Sequence, residues 1–295
     1  MTGILLVDKP EGMTSADVIR ALKPRLGRTK VGHLGTLDPL ASGLLPLCLG
    51  EATKVARYLL LEHKAYTGTI RLGSATDTLD RAGTCVETAP VPAVTPAMLA
   101  AVAARFTGRQ RQVPPMYSAL KRDGVPLYKL ARRGIEVERE ARDIDVTEVT
   151  LVLRDPERID FRVACSKGTY VRVLAADIGR ALDTVAHLEV LRRTRVGAFR
   201  VEDAHPLAAL VAATAAPLPL LAVRDALAEY PAFPASSEAL VRLRRGQQDA
   251  LGRLPAPAAD AQTAVLVDAA GHVAAVIEAS GDRPGWRLVR LLHES

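Results

Sequence analysis

Residues 32–54 read GHLGTLDPLASGLLPLCLGEATK, a segment dense in glycine, proline and polar side chains. Asp38 is the only acidic residue between Asp17 and Glu51, and the glycines and proline beside it hold the backbone in an unusual path. Two interpretations are open. Asp38 caps the following segment in an Asx turn, or its carboxylate takes part in a reaction. Composition alone favours the turn, so a functional role needs support from the rest of the chain.

The sequence patterns predict a mixture of helices and strands. Helical spacing and capping residues predict helices over residues 14–24, 52–60, 95–108 and 171–182. Alternating or short apolar runs predict strands over residues 3–7, 66–72, 149–153 and 161–165. Between the first two helices, the glycines predict a long loop over residues 27–50. Because the elements show no regular βαβ alternation, we expect an α+β fold with a mixed, largely antiparallel sheet.

The last ninety residues differ in composition from the rest. Residues 205–234 are rich in alanine, leucine and proline, which predicts a last helix followed by a linker. A hairpin is predicted over residues 264–277, with a final strand over residues 286–292. We therefore expect two domains, residues 1–228 and a small β-rich domain over residues 229–295.

Composition excludes several classes of protein. The 295 residues are 48% hydrophobic and 24% charged, which is typical of a soluble globular protein. No apolar run approaches the ~20 residues of a membrane span, and the N-terminus lacks the pattern of a secretory signal, so we expect a cytoplasmic protein. Three cysteines lie far apart, and the six histidines lack ligand spacing. We therefore expect no metal, no redox centre and no disulfide framework.

The net charge of +6 is unevenly distributed. Residues 1–200 carry 31 Lys and Arg against 22 Asp and Glu, whereas residues 201–295 carry 8 against 11. The most basic stretch, residues 105–142, has ten basic and four acidic side chains. Such a surface attracts polyphosphate, although a solvated helix face has the same composition.

Other polar clusters provide partners for Asp38. Residues 76–80 (TDTLD) and 166–172 (SKGTYVR) each place polar side chains at the end of an element. An aspartate nucleophile needs a cation to keep it ionised, and Arg172 is a candidate. Tyr66 and Tyr170 are able to enclose a planar base. Alone, each is equally compatible with ordinary packing or surface charge.

Together these motifs resemble one known family. The 32–54 segment is similar to the signature of the TruB family, the bacterial tRNA pseudouridine 55 synthases. Further segments are similar to the same family and occur in the family's order along the chain, so the resemblance covers roughly the first two hundred residues. These segments are LLVDKPEGMTS, KAY, TDTLDRAG, PPMYSALKRDGVPLYKLARRGIEV, SKGTYVRVLAADIG and HLEVLRRTRVG.

The resemblance implies a cofactor-free isomerisation of a uridine in the T-loop of tRNA, on a catalytic domain of the pseudouridine synthase type. It identifies Asp38 as the catalytic aspartate and Arg172 as its ion-pair partner. Tyr66 and Tyr170 would pack against the target base, and Leu191 would line its pocket. The small C-terminal domain resembles a PUA-type RNA-binding domain. We expect a monomer that binds the T-arm, with no obligate protein partner and no membrane association.

The resemblance also implies supporting roles. His33 would fill the space left by the flipped nucleotide, and Asp80 would lie behind the residues that contact the base. Lys9 and Lys54 would support the catalytic loop or contact phosphate. One position departs from the family, since Leu34 stands where a threonine is usual after the histidine.

The reaction breaks the bond from N1 to C1′ and joins C5 to C1′. Asp38 could attack C1′ or C6, or act as a base at C2′ through a glycal, and the sequence leaves these routes open. Three other functions remain possible: a synthase for another RNA, an inactive RNA-binding module, and a small-molecule hydrolase with an aspartate nucleophile. The complete motif set disfavours the first, the intact Asp38 with Tyr66 and Arg172 disfavours the second, and the third has little support.

Overall fold

The computed structural model describes residues 1–60, 63–258, 262–281 and 285–293. The helices are α1 Ser15–Leu26, α2 Ala56–Leu59, α3 Pro96–Arg105, α4 Leu127–Ala131, α5 Val171–Ala181, α6 Leu207–Ala212, α7 Val223–Ala226 and α8 Ser237–Arg244. The strands are β1 Gly3–Lys9, β2 Val31–His33, β3 Ser42–Leu49, β4 Lys64–Leu72, β5 Ser74–Thr76, β6 Cys85–Thr88, β7 Gly108–Gln112, β8 Lys121–Arg122, β9 Val125–Pro126, β10 Arg142–Asp155, β11 Arg158–Cys165, β12 Ala186–Val196, β13 Phe199–Arg200, β14 His205–Pro206, β15 Leu220–Leu221, β16 Ala232–Pro234, β17 Thr263–Val267, β18 Val273–Ala279 and β19 Trp286–Leu291. Short 3₁₀ turns cover Gly50–Lys54, Val201–Asp203 and Gln248–Leu251.

The main sheet has the strand order β14-β1-β3-β12-β4-β11-β10-β7, with β2, β13 and β15 paired to strands of this path. Neighbouring strands are antiparallel except for the parallel pairs β1 with β14 and β3 with β12. A separate sheet has the order β16-β17-β18-β19. The structure therefore confirms the predicted α+β fold, with its mixed, largely antiparallel sheet and small β-rich C-terminal unit.

The main sheet is covered on both faces, as β1 illustrates. Leu5 and Val7 point into an apolar cluster shared with α1, α3 and α5, whereas Ile4 and Leu6 point to the opposite face. That second cluster includes Val276 of the C-terminal sheet. Because successive side chains of a strand face opposite sides, a run that is apolar throughout is buried on both. The C-terminal unit thus packs on the back of the main sheet.

The predicted loop over residues 27–50 is wrong. Nearly half of it forms β2 and the buried strand β3, whose run of apolar residues lies between β1 and β12, and only the part between these two strands is a long loop. The glycines of this segment signalled a loop, but Gly43 is required by strand packing. A Cβ there would lie 2.3 Å from the carbonyl oxygen of Arg193.

Two predicted helix boundaries also change. α1 begins as predicted, with Thr14 and Asp17 forming a reciprocal capping box, but it continues past Pro24 to Leu26. Burial of Leu26 in the main cluster stabilises this extra turn. The helix predicted over residues 52–60 is a 3₁₀ turn followed by the single turn of α2.

The segment predicted as a last helix and a linker, residues 205–234, is largely bound to the main sheet, and only its end, β16, pairs with the C-terminal sheet. Within it, β14 pairs with β1 in parallel and β15 pairs with β1 in antiparallel register, separated by α6. The strand β12 was not predicted, because charged side chains interrupt its apolar pattern. The division of the chain at residue 228 stays a prediction.

Polar contacts reinforce the junction between the two sheets. Tyr58 donates to Glu278 at 3.1 Å, and Arg57 forms an ion pair with the same carboxylate. Lys54 bridges Glu51, at 2.6 Å, and the carbonyl oxygen of Leu291, at 3.1 Å. These contacts and the shared apolar cluster tie the C-terminal sheet to α2 and the turn before it.

The described residues include no helix that is long and apolar enough to cross a membrane, and no group of three potential metal ligands. Cys48 and Cys165 are buried, and burial raises the pKa of the Cys48 thiol to about 12 and that of Cys165 to about 11. These two thiols are structural side chains.

We expect Val276→Ala to destabilise the whole chain rather than the C-terminal sheet alone, because Val276 packs in the cluster that both sheets share. The loss should be about 2 kcal/mol in the free energy of unfolding. Calorimetry should show one transition at a lower temperature. The control Val241→Ala, at a side chain on α8 that is 41% exposed, should leave the transition nearly unchanged. Two separate transitions, with one moved, would contradict the shared core.

Candidate active site

The loop between β2 and β3 carries Asp38 at the edge of a cavity. Gly35 in this loop has a φ of +97°, and a Cβ there would lie 3.3 Å from Cε of Lys64. The amide of Leu37 donates to Oγ of Ser15 at 2.9 Å, which fastens the loop to α1. The Asx-turn interpretation is wrong, because the backbone carbonyl of Asp38, and not its carboxylate, accepts from Ala41 at 3.0 Å. The Asp38 carboxylate therefore has a partner outside its own loop.

Arg172 is that partner. Its Nε donates to Oδ2 of Asp38 at 2.9 Å, and its side chain is 6% exposed while that of Asp38 is 40% exposed. Its Nη1 and Nη2 donate to the carbonyl oxygens of Thr78, at 2.9 Å, and Tyr117, at 2.8 Å. A guanidinium held at three points offers a rigid, charge-assisted donor to the carboxylate. Asp38 is therefore fixed in one orientation at the mouth of the cavity.

Asp80 supplies a second negative charge beside Arg172, 3.6 Å from Nη1. It is buried, and its Oδ1 accepts from Oγ1 of Thr78 at 2.8 Å and from the amide of Ala82 at 3.0 Å. A buried cation is stabilised by such a hydrogen-bonded counter-charge. Asp80 thus holds Arg172 in place and does not line the cavity.

The cavity has a volume of about 270 Å³ and is bounded by Asp38, Tyr66, Tyr170, Arg172 and Leu191, among others. Tyr66 and Leu191 come from neighbouring positions of β4 and β12, and Tyr170 precedes α5. Burial raises the pKa of both tyrosine hydroxyls, so both are neutral near pH 7. The structure therefore brings together a carboxylate, a guanidinium and apolar or aromatic walls.

Gln112 on β7 fixes the backbone at Tyr170. Its Oε1 accepts from the Tyr170 amide at 2.8 Å, and its Nε2 donates to the Tyr170 carbonyl at 3.2 Å. Gln112 is buried, and both the oxygen and the nitrogen of its side-chain amide are hydrogen-bonded to the Tyr170 backbone. These two hydrogen bonds fix the backbone of Tyr170 and so place its side chain at the cavity.

Sequence reasoning missed Arg193, which lines the cavity and is almost completely buried. Nε donates to the carbonyl oxygen of Leu44 at 2.8 Å and Nη2 to that of Gly35 at 3.0 Å, and the guanidinium also hydrogen-bonds the Tyr66 side chain. Burial lowers the pKa of Arg193, while the Tyr66 contact opposes this shift. The available signal was its position two residues after Leu191, on the same face of the strand. Arg193 joins the catalytic loop, β3 and Tyr66.

Lys9 is fully buried beneath the loop and does not line the cavity. Its Nζ donates to the carbonyl oxygens of Pro10, at 2.9 Å, and Met13, at 2.6 Å. Burial lowers the pKa of Lys9 to about 8, and the Asp38 charge partly opposes that shift. These contacts support the turn between β1 and α1.

Three residues of the sequence motifs lie outside the cavity lining. His33 is partly exposed on β2, and burial lowers the pKa of its ring. Lys54 lies at the junction with the C-terminal sheet. Leu34 is fully buried in the cluster between the two sheets, and its amide donates to the carbonyl of Pro46 at 2.9 Å. An apolar side chain at position 34 therefore suits its surroundings.

Known structures share this fold. A structure of a Cbf5–Nop10–Gar1 complex superposes with a TM-score of 0.73 at 24% identity, covering 98% of this chain and 84% of that one. An H/ACA ribonucleoprotein bound to a substrate RNA containing 2′-deoxyuridine gives 0.71 at 22% identity, covering 99% and 85%. These two likenesses show that the chain shares the fold of those proteins.

Sequence comparison identifies the family. Residues 23–171 match the N-terminal domain of the TruB family pseudouridylate synthases, and residues 172–218 match the tRNA pseudouridylate synthase B C-terminal domain. The tRNA pseudouridine synthase B of Psychrobacter cryohalolentis is 48% identical over 258 residues, which cover 84% of this chain and 71% of that protein. The Burkholderia lata protein of the same name is 46% identical over 292 residues, covering 98% and 90%. The chain belongs to the TruB family of pseudouridylate synthases, which confirms the resemblance.

We expect Arg193→Lys to cost about 3 kcal/mol in the free energy of unfolding, because a lysine retains the buried charge but cannot reach the separate acceptors that Arg193 joins. The matched control is Arg192→Lys on the same strand. Arg192 forms a partly exposed pair with Asp8 at 2.8 Å, whose loss should cost less than about 1 kcal/mol. Urea unfolding compares the two variants, and equal losses would show that Arg193 does not join these segments.

Proposed function

We propose that this protein converts uridine 55 in the T-loop of tRNA to pseudouridine, with Asp38 as the essential carboxylate. The observation that carries the proposal is the Asp38–Arg172 ion pair at the mouth of the cavity. The relatives named tRNA pseudouridine synthase B support tRNA as the substrate.

The reaction is an isomerisation with balanced atoms. The N1–C1′ bond breaks, the base turns within the cavity, the C5–C1′ bond forms, the proton leaves C5, and N1 gains a proton. Neither an oxidant nor a water molecule is consumed. Asp38 serves as a nucleophile at C1′ or C6, or as a base at C2′, and each route requires an ionised carboxylate held against the sugar or base. Arg172 meets that requirement by orienting Oδ2.

The walls of the cavity retain the detached base. Tyr66 and Tyr170 present aromatic rings for stacking, and Leu191 adds an apolar surface beside them. A flipped base loses its stacking in the RNA at a cost of a few kcal/mol, which these contacts offset. The neutral tyrosine hydroxyls remain available as hydrogen-bond donors to the base.

Four further residues have supporting roles in the proposal. Asp80 holds Arg172, and Lys9 holds the turn before α1 beneath the catalytic loop. His33 has a buried Nδ1 without a hydrogen bond to any described residue, and its partly exposed ring would fill the space left by the flipped nucleotide. Lys54 would contact phosphate only from the domain junction, so support of the adjoining turn is the better assignment.

The basic stretch of residues 105–142 would bind the stem of the T-arm. Nine of its ten basic side chains are exposed, and Arg139 is partly exposed. Because phosphate contacts release counterions, binding through this surface should weaken as salt is raised, and salt-independent binding would contradict it. The active unit in this proposal is a monomer. Residues 229–295 would form the adjoining PUA-like domain.

The direct test is tritium release from C5-labelled uridine in a T-arm stem-loop transcript. Wild type should release tritium, and Asp38→Asn should lower the rate at least ~10³-fold with RNA binding retained, because the amide cannot act as nucleophile or base. The matched control is Asp225→Asn, an exposed carboxylate on α7, which should keep the wild-type rate.

Two results would contradict the proposal. Equal release by Asp38→Asn would show that Asp38 is not essential. Binding without release by wild type would identify an RNA-binding module in place of a synthase.

A further inference from the structure

Arg193 is a buried cation without a carboxylate partner. It is 1% exposed, and its acceptors are the Tyr66 side chain and the carbonyl oxygens of Leu44, Gly35 and Thr36. Among the residues that the structure describes, no Asp or Glu lies within ion-pair distance of its guanidinium. Buried charges in proteins are normally paired with an opposite charge. Arg193 departs from that rule at the wall of the catalytic cavity.

The positive charge of Arg193 acts on the groups around it. Burial lowers the pKa of Lys9 and that of His33, and the charge of Arg193 lowers both further. Lys64 is a second basic side chain that lines the cavity. A Cβ at Gly35 would lie 3.5 Å from Nη1 of Arg193 and 3.9 Å from Nζ of Lys64. Basic groups are therefore concentrated beside the catalytic loop, at one wall of the cavity.

Tyr66 connects this charge to the interior of the cavity. Tyr66 and Arg193 are register partners across β4 and β12, so their side chains leave the same face of the sheet, and both line the cavity. A guanidinium has only donors, so the Tyr66 oxygen accepts the hydrogen bond from Arg193 and the phenol keeps its own proton for another acceptor. Hydrogen bonds in a chain polarise one another. The cavity therefore contains an O–H donor that is strengthened by a positive charge behind it.

Cleavage of the N1–C1′ bond requires negative charge on the base. In the routes through C1′ attack and through the glycal, both electrons of that bond stay with the base, and the charge is shared by N1, O2 and O4. In the route through C6, addition of the Asp38 carboxylate puts the charge on the ring before the bond breaks. Formation of the C5–C1′ bond, loss of the C5 proton and gain of a proton at N1 then make the base neutral again. The negative charge thus exists only during the reaction.

We propose that the charge of Arg193, acting through the Tyr66 hydroxyl, stabilises the negative charge that develops on the detached base. Fixed donors lower a barrier when they face the position where charge develops, because they need not reorganise during the reaction. An RNA phosphate is a poorer match for this charge, since it would have to enter between the aromatic and apolar walls of the cavity. The inference rests on the proposed function and deepens it.

The test compares Arg193→Gln with Arg193→Lys in single-turnover tritium release from a T-arm stem-loop RNA. Loss of the charge in Arg193→Gln should lower the rate about 10²-fold or more, and the dissociation constant should change only a few-fold, because the bound uridine is still neutral. Arg193→Lys keeps the charge and should recover at least about tenfold of that loss. The matched control is Arg192→Gln on the same strand, whose partner is Asp8 at 2.8 Å, and it should keep the wild-type rate.

A second substrate separates stabilisation of charge from a structural role. With 2-thiouridine at the target position, sulfur stabilises the anion of the base, so cleavage depends less on the positive charge of the protein. The loss of rate in Arg193→Gln should therefore be several-fold smaller on this RNA than on the uridine RNA. A displaced loop would lower both rates by the same factor, and the ratio of the two rates does not depend on how much of the variant is folded.

Three outcomes would overturn the inference. These are equal losses of rate in the Gln and Lys variants, equal losses on the two RNAs, and weaker RNA binding with a lower salt dependence at an unchanged rate. The last result would identify a phosphate contact instead. Failure of the proposed function is a different result, namely wild-type protein that binds the uridine RNA and releases no tritium.

Discussion

The ion pair between Arg172 and Asp38 is the constraint on which the site depends. A guanidinium that is 6% exposed must satisfy its donors within the protein, and Arg172 does so on the carbonyls of Thr78 and Tyr117 and on two carboxylates. Those partners come from loops far apart in sequence. Holding Asp38 in one orientation therefore requires these loops to be in place, which explains why the polar segments around residues 78 and 117 converge on one side of the sheet.

A second arginine performs the corresponding task on the other side of the cavity. Arg193 links Gly35, Leu44 and Tyr66, so the catalytic loop and the wall of the cavity are fixed to the same guanidinium. Arg172 and Arg193 are both buried, and each connects backbone segments by donating hydrogen bonds to their carbonyl oxygens. The reactive carboxylate is thus preorganised by the fold, and little rearrangement of the protein is needed when a base enters.

The features that depend on neighbouring residues could be predicted from the sequence. The features that depend on contacts between distant parts of the chain could not. The Thr14 cap, the alternating strand at residues 66–72 and the hairpin near residue 268 are local, and the structure confirms them. The β3 strand was predicted as a loop for two reasons. Burial on both faces removes the alternation of apolar and polar residues, and Gly43 is present because the Arg193 backbone leaves no room for a Cβ. Asp38 and Arg172 were candidates from their residue types and positions, and the family resemblance implied that they form a pair. Arg193 was not found, because its acceptors lie about 150 residues away in the chain.

The most direct test of this account is the single-turnover rate of Arg172→Met on a T-arm RNA, with the dissociation constant measured in parallel. If the guanidinium holds Asp38 in its reactive state, the rate should fall by about 10²- to 10³-fold or more while the dissociation constant changes only a few-fold. Asp38 itself remains in this variant, so the loss would report its positioning. A rate within a few-fold of wild type, with the variant folded, would contradict the central role of the Arg172–Asp38 pair.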